Sequence, residues 1–146
     1  MMARSRKRWE FTVRSDDHKP LLVTAVQQYV GMPQYGLVVG VYQRTTGSGH
    51  GLLLPPKNVG ELRDELADWL ADDVAGPPAW TVVAPDQKYP NKLHLSTDSE
   101  GLLAQAEHDV SGAYTTYTPT VLLTRDSVVQ WRDALTSWLD TEIDHR

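Results

Sequence analysis

LLLPPKNVGELRDELADWL at residues 52–70 and VLLTRDSVVQWRDALTSWL at residues 121–139 are one element written twice. The two stretches align without a gap at a constant offset of 69, and eight of the 19 paired positions are identical. The identities are Leu53/Leu122, Leu54/Leu123, Val59/Val128, Arg63/Arg132, Asp64/Asp133, Leu66/Leu135, Trp69/Trp138 and Leu70/Leu139. Phe11-Thr12-Val13 and Trp80-Thr81-Val82 fall at the same offset, so the correspondence runs from the first strand of a unit to its last helix. A fixed-period match of this length predicts a tandem duplication.

Outward from that stretch, each copy changes period from two to 3.6. In WEFTVR (9–14), Trp9, Phe11 and Val13 alternate with Glu10, Thr12 and Arg14, as in a half-buried strand. LLVTAVQQYV (21–30) and LVVGVYQRT (37–45) read as the next two strands, and LLL (52–54) as a short fourth. The glycine-rich TTGSGHG (45–51) between them reads as a hairpin turn or loop; it lacks the Lys and Ser/Thr of a phosphate cradle. Val59, Leu62, Leu66, Trp69 and Leu70 then form a helical stripe starting just after Pro55-Pro56. The second copy repeats the plan with AWTVVA (79–84), KLHLS (92–96), LLAQAEHDV (102–110) and YTTYTPTVLLT (114–124), residues 102–108 having a short helix as their alternative. Thr124 is placed to cap the second helix, with Asp126 in its first turn. The predicted fold class is α+β: two ββββα repeats, 1–76 and 77–146, packed as an intramolecular pseudo-dimer in one domain. Units of about 70 residues bury too little apolar surface to stand alone.

Composition narrows the function. The chain has 146 residues, no cysteine and a formal net charge of −5. Disulfides, thiolate zinc sites and cysteine nucleophiles are excluded, and no apolar run approaches the length of a membrane span. A cytoplasmic protein with no membrane partner is expected. His18, His50, His94, His108 and His145 are scattered without ligand spacing, so no metal, no cofactor and no catalytic residues are predicted, and the protein is read as no enzyme. The charge is uneven. Residues 1–55 hold seven basic side chains (Arg4, Arg6, Lys7, Arg8, Arg14, Lys19, Arg44) against three acidic ones (Glu10, Asp16, Asp17), a balance of +4. The helices and the second unit are acidic.

The ββββα order, its duplication, the opening KRWEFTV (7–13) and the closing ELRDELADWL (61–70) with WRDALTSWL (131–139) resemble the Pur family of single-stranded nucleic-acid-binding repeats. The architecture is also similar to Whirly proteins and to the single-stranded-DNA-binding transcriptional coactivators. The resemblance implies a helix over one sheet face and an open face for single-stranded DNA or RNA. Such a face needs cations for phosphates and aromatic planes for bases. Arg8, Arg14, Tyr42 and Arg44 fall on the face opposite Phe11, Val13, Val39 and Val41, with Lys7 and Lys19 flanking them. The second copy opens PPAWTVV (77–83), with no Lys-Arg before its aromatic, so one binding face is expected. The alternative is a regulatory or inhibitor module that meets another protein through acids such as Glu100, Glu107 and Asp109. The tryptophans are assigned to the core, and Arg63-Asp64 and Arg132-Asp133 to solvated helix charges or links between units. The basic segment Arg4–Arg8 reads equally as a solubilising arm or a nucleic-acid arm.

Overall fold

A computed structural model of the chain describes residues 9–14, 20–26, 36–43, 46, 48–71, 79–85 and 88–144. Four strands, β1 (Glu10–Arg14), β2 (Pro20–Val26), β3 (Leu37–Gln43) and β4 (Gly49–Leu54), lead into α1 (Pro56–Ala71). Five follow, β5 (Ala79–Val83), β6 (Lys92–Asp98), β7 (Gly101–Val110), β8 (Tyr114–Tyr117) and β9 (Val121–Thr124), before α2 (Arg125–Asp144). The protein is α+β with two antiparallel sheets, β1-β2-β3-β4 and β5-β6-β7-β8, with β9 also paired to β7.

The predicted fourth strand of the second unit is divided. Tyr117 faces Glu107 and Val121 faces Ala104, so residues 118–120 stand opposite 105 and 106, one residue in excess. That is a β-bulge. Thr118 secures it: its N–H donates to the Ala106 carbonyl at 3.0 Å, and its hydroxyl oxygen accepts the Ala106 N–H at 3.0 Å. Pro119, which has no N–H for a ladder, sits at the break.

One alternative falls away and one further expectation is corrected. Residues 102–108 are strand throughout. Gly49 to Gly51, read as part of a loop, are the first half of β4 and pair with Tyr42, Val41 and Gly40. The helix starts follow the sequence closely. Pro56 is the first residue of α1, where its missing N–H is harmless, and the Val59 N–H bonds the Pro55 carbonyl at 2.9 Å. Thr124 caps α2, its hydroxyl accepting the Ser127 N–H at 3.2 Å.

The helical stripes are buried as their periods require, and one apolar cluster joins Leu22, Val39 and Leu66 of the first unit to Leu93, Leu123 and Trp131 of the second. Trp69, Trp131 and Trp138 lie in that core, while Trp9 and Trp80 pack against it half-buried. Side chains cross between the units. The Trp131 indole donates to the Thr24 hydroxyl at 3.0 Å, and the Trp69 indole to Thr97 at 3.1 Å. Arg125, the first residue of α2, donates to the Leu70 carbonyl near the end of α1 and stands over the Trp69 ring. Arg63–Asp64 and Arg132–Asp133 are ion pairs between sequence neighbours, at 3.0 and 2.9 Å, with both carboxylates largely exposed. Such solvated pairs contribute little. No helix among the described residues is long and apolar enough to cross a membrane.

Candidate nucleic-acid interface

Alternation gives the first sheet an inner and an outer face. Val13, Leu22, Thr24, Val39, Val41, Leu52 and Leu54 are buried inward. Pairing then arranges the outer residues in rows. One runs Thr12, Val23, Gly40, Gly51; the next runs Arg14, Leu21, Tyr42, Gly49. Arg14 and Thr12 are exposed, and Leu21, Val23 and Tyr42 half-buried.

The glycines explain the geometry of Tyr42. A Cβ built on Gly49 would lie 2.6 Å from Tyr42 Cδ1, one on Gly40 2.7 Å from Cε2, and one on Gly51 2.9 Å from the phenol oxygen. The ring therefore rests along three positions that only glycine can occupy without displacing it. Tyr42 itself is half-buried in this seat. Beside Gly49, a cavity at the seam of the two units is lined by Ser48, His50, Tyr117, Thr118 and Pro119.

Of the six residues expected to bind nucleic acid, Arg14 and Tyr42 are described, and they share one row of the outer face. Lys7, Arg8, Lys19 and Arg44 lie outside the described residues.

The matching surface of the second sheet has different chemistry. Its equivalent row is Val83, Lys92, Glu107, Tyr117, next to Thr81, His94, Gln105. Thr81 Oγ1 lies 3.1 Å from His94 Nδ1, His94 Nε2 lies 2.7 Å from Glu107 Oε1, and Lys92 Nζ lies 3.9 Å from Glu107 Oε2. Three strands supply this hydroxyl–imidazole–carboxylate chain, so nothing in the local sequence announces it. It ties the face together and holds the Glu107 carboxylate between His94 and Lys92. The second unit also exposes tyrosines that the sequence reading passed over: Tyr114 at 61%, Tyr117 at 58% and Tyr89 at 40%.

Two of the acids expected to meet a basic protein partner, Glu107 and Asp109, are engaged locally. Glu107 is held by His94 and Lys92 and Asp109 accepts the Gly112 N–H at 2.8 Å, whereas at Glu100 it is the backbone N–H that bonds, to the Asp98 carboxylate. At the seam, the rings of His50 and His108 stack with centroids 4.6 Å apart. Asn91 joins the units there, donating to the Gly51 carbonyl at 2.9 Å while its oxygen lies 2.9 Å from His108 Nδ1. Burial, with the His108 charge second, holds the His50 imidazole below its ordinary range. No group of three or more metal-ligating side chains occurs among the described residues. The chain matches no protein-family model and no curated protein.

Proposed function

We propose that this protein binds single-stranded DNA or RNA without catalysing a reaction, through the outer face of β1–β4, with Tyr42 as the base platform. The observation that carries the reading is the Tyr42 ring seated on Gly40, Gly49 and Gly51 in the row of Arg14. A base stacked on such a plane contributes roughly 1–3 kcal/mol, and Arg14 supplies a phosphate contact at its side. Lys7, Arg8, Lys19 and Arg44 are assigned by sequence to the same phosphate path. The seam cavity and exposed Tyr117 offer a continuation of the strand toward the second unit.

In the same reading, the two ββββα units form an intramolecular pseudo-dimer acting in the cytoplasm. Several features support that arrangement. β1 and β5 begin at the repeat offset, as do α1 and α2. Gly36 and Gly101 occupy corresponding places, a Cβ on either falling about 2 Å from the carbonyl oxygen of Leu54 or of its repeat partner Leu123. Each helix also sends a tryptophan to the other unit's sheet.

Titration of labelled single-stranded oligonucleotides tests the function. Tyr42→Ala is expected to weaken binding about tenfold and Tyr42→Phe to leave it nearly intact, since stacking needs the plane and not the hydroxyl. Arg14→Ala with Arg44→Ala is expected to flatten the dependence of affinity on salt. Affinity indifferent to all of these changes, or no binding at low salt, refutes the reading.

A further inference from the structure

Among the described residues β5 is the edge strand of the second sheet, paired with β6 alone. The Ala84 N–H bonds the Asn91 carbonyl at 3.1 Å, which fixes the phase of the antiparallel ladder. Residues 80, 82 and 84 then direct their backbone groups at β6, and Thr81 and Val83 turn theirs outward. No hydrogen bond among the described residues takes those outward groups. Unpaired edges of this kind are templates for an additional strand.

The outward side of β5 opens onto a groove rather than flat solvent. Thr81, Val82 and Val83 form one wall, and Asn58, Glu61, Leu62 and Glu65 of α1 the other. Val83 is 43% exposed and Leu62 fully buried, so the groove has an apolar floor below an acidic rim. Glu61, Glu65 and Asp68 follow one another along the helix, and no cation lies within salt-bridge distance of any of them among the described residues. The Trp80 indole N–H is buried there near Glu65, outside hydrogen-bond geometry.

From this juxtaposition we propose that the groove between α1 and the edge of β5 docks an extended, lysine- or arginine-bearing segment of a partner protein by strand addition. The backbone of the segment pairs with Thr81 and Val83, its cations meet Glu61 and Glu65, and its apolar side chains cover the exposed Val83. The rim repels phosphate, so this surface is separate from the nucleic-acid face. Complementary charge selects the partner and sets the register.

The test uses the full chain and a fluorescein-labelled peptide of alternating lysine and valine, read by anisotropy. Saturable binding is expected. It should weaken about tenfold when the peptide's lysines become glutamates, in the Glu61→Lys/Glu65→Lys variant, and in Val83→Pro, which removes an outward N–H at an edge position. A peptide N-methylated at alternate residues should lose affinity to the same degree on the unaltered protein, which keeps the test independent of how any variant folds. Absence of saturable binding, N-methylated peptide binding equally well, or affinity unchanged by the double charge reversal overturns the proposal. Oligonucleotide titration of the same Val83→Pro protein reports separately on the first sheet.

Discussion

Glu65 is a carboxyl held where its charge is disfavoured. Burial raises its pKa above the ordinary 4.5, the Trp80 indole opposes that shift, and Glu61 and Asp68 add to it. A group with a raised folded pKa contributes stability that is present below its unfolded value and lost as pH rises through the folded one. At neutral pH the charge is therefore a burden. Glu65→Gln is expected to raise the melting temperature there, with the gain vanishing below pH 4.5, where the wild-type side chain is already neutral. A lowered melting temperature at neutral pH contradicts the assignment. His50 works with the opposite sign. Its pKa is depressed below 6.5, so the unfolded chain takes up a proton before the folded one does. Stability should be full above 6.5 and decline as pH falls from there through the folded value, as read from urea midpoints across that range. His50 Nε2 lies 3.1 Å from the Thr116 hydroxyl, and His50→Gln, which can keep that bond, should flatten the decline.

At the scale of elements, the bulge between β8 and β9 hangs on one hydroxyl. Thr118 is 5% exposed, and its oxygen satisfies the Ala106 N–H. Thr118→Val keeps the volume and strands that N–H, so the expected loss is about 1–3 kcal/mol by chemical denaturation; a change within error refutes the role given to the hydroxyl. The same elements show what sequence can and cannot announce. β1 was legible because Phe11 and Val13 alternate with polar neighbours, and both helices because their stripes recur at 3.6 with proline or threonine at the start. The glycine half of β4 was not, since Gly49 and Gly51 have no side chains to alternate and their reason for being small is Tyr42, one strand away. The bulge was hidden as well, because Thr118 and Pro119 acquire their meaning only opposite Gln105 and Ala106. In the site, Arg14 and Tyr42 were legible as residues of one face; their shared row required the pairing. The Thr81–His94–Glu107 chain was invisible because its members come from three strands.

At the scale of the molecule, the core is shared rather than duplicated. Trp131 is fully buried, and its indole bonds Thr24 in the other unit. Trp131→Ala is expected to lower stability by about 3–5 kcal/mol and to unfold both sheets in one transition, as heat denaturation followed by far-UV and near-UV dichroism will show. Two separated transitions would show the units to be independent.

The crossed tryptophans have a topological consequence. Trp69 finds Thr97 and Trp131 finds Thr24 whichever polypeptide supplies the partner, because none of these bonds depends on the peptide link between residues 71 and 79. A chain nicked in that interval would hold together as a two-fragment complex. Two intact chains at high concentration could trade their second units and close the same bonds reciprocally. Monomer and exchanged dimer would then differ by the entropy of association and the path of one short connection, with every native contact conserved.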